Sequence, residues 1–307
     1  MSASELNLPE WLTDLKETSQ NVAFYESGRD FSIQFTKRSA GILFVGFDDL
    51  SKVRSKTRLR DGWGYSFARK EGWSYLGIST FSENWFRDSD IHCALESLAS
   101  RGFFRKFGNV VLSGTSMGGY GACAFAPLSP GCTVVAFSPQ STLSPYLAGW
   151  DTRYPQGTAQ NWSEPFADAA TGVRSACRAW VIYDPKHSLD HRHALRISGP
   201  NVTHLRARYT GHNTAQFLRQ IGVLSEVSKG CALGAMTESV FYSLFRRGRN
   251  YRRLQQALVK HVIARGGVGL QKHLAEVLKH RKRPGLARIV ETALGRLENA
   301  AKAGCNN

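Results

Sequence analysis

Between Phe31 and Leu224 the apolar residues fall into short runs, and the stretches between several of them carry apolar positions at helical spacing. Phe31 to Lys37 alternates apolar and polar, which predicts a half-exposed edge strand. Gly41 to Phe47 is continuously apolar, which predicts an inner strand ending at Gly46-Phe47-Asp48-Asp49. Trp73 to Ser79, Val110 to Leu112, Cys132 to Ser138, Arg178 to Tyr183 and Asn201 to Tyr209 predict further strands. Helices are expected from Ser89 to about Phe104, after Gly118, and from Thr214 to Leu224. Strands alternating with helices imply an α/β fold, a mainly parallel sheet with helices on both faces, over 31–224.

Three stretches depart from that rhythm. In the N-terminal segment, 1–30, Glu10-Trp11-Leu12 opens a short amphipathic helix. Ser51 to Gly72 is basic and reads as loop. From Pro139 to Ser175 Pro, Gly, Ser, Trp and Tyr dominate, and a long irregular stretch inside a compact domain is usually functional. We read 139–175 as a lid or pocket insertion, with Trp150, Tyr154 and Trp162 as candidate substrate-pocket aromatics.

Beyond 225 the period is helical throughout. Leu254, Leu258 and Val262 share a face, Gly266-Gly267 interrupts, Leu270, Leu274, Val277 and Leu278 resume, and Pro284-Gly285 interrupts again. Leu286, Ile289, Val290, Ala293, Leu294 and Leu297 form a last stripe. Three helices joined by tight turns are expected.

Charge sharpens this division. Of a net +16, +11 falls between Cys231 and Asn307, with fifteen Lys and Arg against four Glu. The chain is therefore expected to carry a basic helical C-terminal region, 225–307, whose faces suit an acidic partner or a membrane surface. Nucleic acid is the less favoured partner, and a simply solvated face is the alternative. No run of about eighteen apolar residues occurs. The six cysteines are scattered without C-x-x-C spacing, and the first residues lack the basic and apolar regions of a secretory signal. A cytoplasmic protein with free thiols is expected.

The chemistry concentrates at Asn109 to Ala122, N-V-V-L-S-G-T-S-M-G-G-Y-G-A. A buried strand, a G-x-S-x-G turn and a helix of small residues describe a nucleophile elbow. Glycine is required at Gly114 and Gly118 because the sharp turn crowds its flanks, and Ser116 is pushed out at the tip. Ser116-Met117-Gly118-Gly119-Tyr120-Gly121-Ala122 resembles the elbow of α/β-hydrolase-fold serine enzymes, the esterase-D-like and mycolyltransferase-like branches in particular. The likeness is specific over about a dozen residues, diffuse over 31–224 and absent from the C-terminal part.

A serine hydroxyl needs a base of pKa near 7 and a carboxylate to orient that base. In the fold so resembled the chain order is Ser, acid, His. His212, in Gly-His-Asn after the last strand, is the expected base, and Asp184, ending a strand, the expected acid, with Asp190 as the alternative. The family pattern also implies two oxyanion N–H donors, here Met117 and, from the loop after an early strand, Phe47 or its neighbour Asp48. The cluster Lys186 to His193 holds three histidines and Asp190, but its spacing fits no zinc pattern, and G-T-S-M-G-G lacks the lysine of a phosphate loop. No metal and no organic cofactor is expected.

These residues predict a serine hydrolase that cleaves an ester or related acyl bond of a small-molecule, lipid or glycan substrate. Acyl transfer to a glycan or lipid acceptor shares the same acyl-enzyme and is one alternative. A non-catalytic hydrolase-like scaffold that recruits an acidic partner through its basic tail is the other.

Overall fold

The computed structural model describes residues 23–49 and 60–304. The helix expected at Glu10-Trp11-Leu12 lies outside them, as do Cys305 and the first half of the basic stretch after Ser51. Contacts divide the chain into two units, one reaching Phe241 and one from Tyr242.

The first unit is built on one eight-stranded sheet of order β1-β2-β4-β3-β5-β6-β7-β8. The strands are β1 Ala23–Ser27, β2 Phe31–Thr36, β3 Ile42–Asp49, β4 Ser74–Thr80, β5 Asn109–Thr115, β6 Thr133–Phe137, β7 Arg178–Tyr183 and β8 Val202–Arg206. β3 to β8 run parallel, while β2 is antiparallel to β4 and β1 to β2. The mainly parallel α/β-hydrolase-like sheet is therefore present. β2 is not its edge, however. β1, from the segment expected to precede the domain, pairs along β2, so most of the alternating residues of β2 are buried.

Side chains alternate across each strand, and the two layers follow from that. Leu43, Val45 and Phe47 of β3 and Val110 and Leu112 of β5 pack with Tyr120 and Ala122 of the helix Met117–Ala124. The intervening Phe44 meets Phe67 of the helix Tyr65–Lys70, which forms in a stretch expected to be loop. Trp180 of β7 donates from its indole N–H to the Cys231 carbonyl, and Asn109 of β5 donates to that of Ala232. The helix Leu224–Ala232 thus belongs to the sheet unit, and the division between units falls later than the expected 225.

The stretch after β6 is inlaid rather than draped. Gln140, Ser141, Thr142 and Leu143 are fully buried. Arg87 holds its far end by donating to the carbonyls of Asn161, Glu164 and Pro165. The Tyr120 hydroxyl donates to the Phe166 carbonyl. Trp85 and Phe86, at the end of the loop following β4, are core residues.

The second unit holds helices Arg252–Arg265, Val268–His280 and Pro284–Gly304. Gly266, at φ 76°, ends the first of them. Val259, Ala275, Leu278, Ala287 and Val290 form its own small core, and Lys272–Glu298 and Lys279–Glu291 pair the second and third helices on the surface. No helix among the described residues is long and apolar enough to cross a membrane.

One contact sets how closely the elbow helix sits on the sheet. A Cβ at Gly118 would lie 2.2 Å from the Phe47 carbonyl oxygen, and one at Gly114 would lie 2.3 Å from the Gly118 carbonyl group. Both obstacles are backbone and cannot rotate away. Gly118→Ala is expected to cost about 1–3 kcal/mol. The loss is read as a lower urea midpoint at unchanged slope, and an unaltered midpoint would contradict this packing.

Candidate active site

Ser116 sits between β5 and the elbow helix with φ 54° and ψ −117°, a conformation that L side chains rarely adopt. Its N–H donates to the Phe137 carbonyl at the end of β6, so two neighbouring strands fix the tip. The first intrahelical bond runs from Tyr120 N–H to the Ser116 carbonyl. The N–H groups of Met117, Gly118 and Gly119 therefore have no acceptor within the helix. They form the positive end of its dipole, where negative charge is favoured.

His212 follows β8, ninety-six residues after Ser116. Its Nε2 lies 2.8 Å from Ser116 Oγ, and its Nδ1 lies 2.7 Å from Asp190 Oδ2. A carboxylate only accepts, so Nδ1 carries the proton and Nε2 is free to accept from the serine. The structure thus brings together Ser116, His212 and Asp190.

Asp184 is not the partner of His212, which corrects the expected acid. Its Oδ1 accepts from the Lys186 N–H and its Oδ2 from the Gly211 N–H, both at 2.8 Å. That carboxylate ties the loop after β7 to the loop that carries His212. Asp190 instead lies in the first turn of the helix Ser188–Arg196, six residues further on, and one helical turn aims it back at the imidazole.

Asp190 is almost fully buried and contacts three cations or potential cations. Besides His212, Arg153 donates to its Oδ1 at 2.8 Å, and His187 Nδ1 lies 3.3 Å from the same oxygen. Burial pushes the carboxyl up, but hydrogen bonds from His187 and His212 outweigh it and hold Asp190 well below the usual carboxylate range. The Asp190 contact in turn raises His187. Arg153 also grips Asp151, which accepts from His193 Nε2 at 2.9 Å. Burial pushes Asp151 up as well, and His193 and Arg153 together bring it well down. His193 is fully buried and accepts at Nδ1 from the Ser141 N–H, so its Nε2 keeps the proton it gives Asp151. The histidines of 186–193 are thus divided: His187 meets Asp190, His193 meets Asp151, and His191 stacks on Tyr183.

The oxyanion candidates fare unequally. Met117 heads the elbow helix, where its N–H is unclaimed within the helix. Phe47 lies inside β3, opposite Gly114 and Ile78, because the strand runs on through Asp49. The Phe47 group against the elbow is a carbonyl oxygen, which is an acceptor, and its ring packs on Phe86 and Phe125. Asp48 is committed to a bidentate pair with Arg60. These contacts use the Phe47 carbonyl and ring and the Asp48 carboxylate, not the backbone N–H groups that the family pattern implies as donors.

Of the three aromatics expected in the pocket, one reaches the site. The Tyr154 hydroxyl lies 3.2 Å from His212 Nε2. Trp150 packs instead on His193 and under Arg192, and Trp162 packs on Tyr120 and Arg87. The sequence reading missed Gln140. Its side chain is fully buried and its Nε2 lies 3.2 Å from Ser116 Oγ. Since the serine proton is directed to His212, Oγ can only accept here, and Gln140 presents its NH2. Nothing in S-P-Q within a Pro- and Ser-rich loop marks that glutamine. Arg153 was missed too, although D-T-R-Y places it beside Tyr154.

A cavity of about 200 Å³ is lined by Trp63, Thr115, Asn213, Gln216, Arg219 and Leu224, two of them chain neighbours of Ser116 and His212. Another, of about 240 Å³, lies among Phe104, Gly108, Asn109 and Cys132 at the amino ends of β5 and β6, the opposite edge of the sheet.

No family model and no curated protein matches the sequence. Among solved structures the chain is similar to an esterase from Pyrobaculum calidifontis, 15% identical over 74% of this chain and 91% of that one, with a TM-score of 0.45. An esterase/lipase from an uncultured bacterium is 10% identical over 80% and 94%, with a TM-score of 0.47. An S-formylglutathione hydrolase from Agrobacterium tumefaciens is 14% identical over 69% and 94%, with a TM-score of 0.42. No residue role passes from them to this chain.

The two depressed aspartates make stability depend on pH. An unfolded aspartate titrates near about 3.9. Above that value both states carry the charges, and the stabilisation from Asp151 and Asp190 is complete. Below it the unfolded chain binds protons that the folded chain refuses, so stability falls with pH. Urea midpoints measured from pH 6 to pH 3 are expected to drop below about pH 4. In Asp151→Asn the acid-side drop is smaller and the midpoint at pH 6 is already lower. An equal drop in both proteins would contradict the assignment.

Proposed function

We propose that the chain is a serine hydrolase that cleaves an ester or related acyl bond through an acyl-enzyme. The observation that carries this reading is the unbroken relay from Asp190 through His212 to Ser116, 2.7 Å and 2.8 Å long, at the tip of a strained strand-to-helix turn.

Each residue has a definite task in it. His212 Nε2 takes the Ser116 proton while Oγ attacks the carbonyl carbon. The imidazolium so formed is stabilised by Asp190, which stays ionised because its carboxyl is held so low. Met117 N–H, with the dipole of its helix behind it, meets the negative oxygen of the tetrahedral intermediate. The imidazolium then gives its proton to the leaving oxygen. Water repeats the sequence on the acyl-enzyme and regenerates Ser116. Asp184 acts on none of these atoms and steadies the loop of His212 through Gly211.

A fluorophosphonate probe is expected to label the native protein at Ser116, and Ser116→Ala to abolish both labelling and ester turnover. Asp190→Asn should lower kcat/KM by about 10³- to 10⁴-fold, the scale found when a triad carboxylate is neutralised. Asp184→Asn should stay within about 10-fold, since it removes only support. Equal losses in the two aspartate variants, or an unlabelled native protein, would defeat the proposal. Turnover lost in Asp184→Asn and kept in Asp190→Asn would return the role to Asp184.

A further inference from the structure

The relay leaves one polar group at the centre without a task. The Tyr154 hydroxyl stands 3.2 Å from His212 Nε2, the same nitrogen that faces Ser116 Oγ at 2.8 Å. It comes from the irregular stretch after β6, far from the strand ends that supply Ser116 and His212. Its placement is over-determined. The ring lies 5.0 Å from that of Trp85, and Arg153 lies over its face at 5.0 Å. The Tyr154 carbonyl accepts from both the N–H and the hydroxyl of Thr158. Arg153 is at the same time bonded to Asp151 and to Asp190. The short run Asp151 to Tyr154 is therefore clamped to the carboxylate of the relay, and the phenol is carried to the imidazole edge as part of the same fastening.

The position has a chemical meaning. Nε2 handles two protons in turn, the one from Ser116 and the one that must reach the departing oxygen. A hydroxyl at hydrogen-bond distance from Nε2 stands beside the place that the leaving-group oxygen must take, and that the attacking water must take later. A neutral phenol can donate to that oxygen. Burial pushes the Tyr154 phenol up, so the O–H is retained across the range in which an esterase operates.

We infer that Tyr154 is a catalytic residue for this chain's reaction, donating a hydrogen bond to the leaving-group oxygen in acylation and to the attacking water in deacylation. The inference rests on the serine-hydrolase reading and goes beyond it. In acylation the bond from the acyl carbon to the leaving oxygen breaks, and its electron pair stays on that oxygen. The oxygen takes the proton from His212 Nε2 while Tyr154 donates to it. In deacylation the water gives a proton to Nε2, its oxygen bonds to the acyl carbon, and Ser116 Oγ departs with that proton. Tyr154 keeps its own proton throughout, and the sum is ester plus water giving acid plus alcohol.

The role implies a dependence on the leaving group that a structural tyrosine would not produce. A p-nitrophenolate needs little help to depart, whereas an alkoxide must be protonated as it leaves. Tyr154→Phe keeps the ring against Trp85 and removes only the hydroxyl. Across acetate esters running from p-nitrophenyl to alkyl, kcat/KM in Tyr154→Phe is expected to fall less than about 3-fold for p-nitrophenyl acetate and about 10- to 100-fold for alkyl acetates. The p-nitrophenyl acetate burst should survive with a slower steady state, and fluorophosphonate labelling with thermal melting reports whether the site is intact. Losses equal for all leaving groups, or no loss, would overturn the assignment to Tyr154 while leaving Ser116 in place. A native protein that cleaves aryl but no alkyl esters would overturn it as well. A native protein without Ser116-dependent turnover would sink the hydrolase reading, and this inference with it.

Discussion

Two hydrogen bonds on one imidazole organise the rest of the structure. His212 is held at Nδ1 by Asp190 and faces Ser116 at Nε2, and each of its partners is fixed by a different part of the chain. β5 and β6 hold the serine, the start of the helix after β7 holds the aspartate, and the end of β8 holds the histidine. A parallel sheet supplies this convergence, because its carboxyl edge gathers residues that are far apart in sequence. Around the carboxylate the chain has assembled more positive character than one imidazole provides. His187 and Arg153 both reach Asp190, so the buried charge does not depend on the protonation of His212 alone.

The stretch after β6 turns out to be part of the site wall. Buried Gln140 touches the serine, Asp151 and Arg153 brace the acid, and Tyr154 reaches the base. Its irregular backbone follows from that work. A helix or strand would present side chains at a fixed period, whereas these four must reach three different targets from within fifteen residues. The backbone groups left over are satisfied by Arg87, Tyr120 and Ser141, which is why so little regular structure stays ordered.

Much of this was legible in the residues. Val110 to Leu112 before glycine and serine announce a buried strand entering a tight turn, and Gly211-His212-Asn213 after the last strand marks a loop at the same edge. Those signals are local, and local steric rules carry them. The acid was harder, since Asp184 and Asp190 both follow β7 and only the pitch of the next helix decides which one turns back. Phe47 lies within β3 because the strand continues through the polar pair Asp48-Asp49, which a run of apolar residues cannot show. β2 alternates as an edge strand does, yet another strand covers it, and β1 has too little apolar character to declare itself. Gln140 had no signal at all, because its neighbours are ordinary turn residues and its meaning lies in a contact across twenty-four positions.

The backbone of Ser116 has one more consequence. Its φ of 54° belongs to a region where a residue without a Cβ rests easily and every other residue is under tension. The position that supplies the hydroxyl is thus the one where the fold, left to itself, would keep glycine. On the proposed serine-hydrolase reading, exchanging it for glycine would leave the molecule inert and on the order of 1 kcal/mol more comfortable. Thermal robustness and chemistry pull against each other at a single peptide unit, and any search for sturdier forms of this chain that ignores activity will drift toward silence at that site.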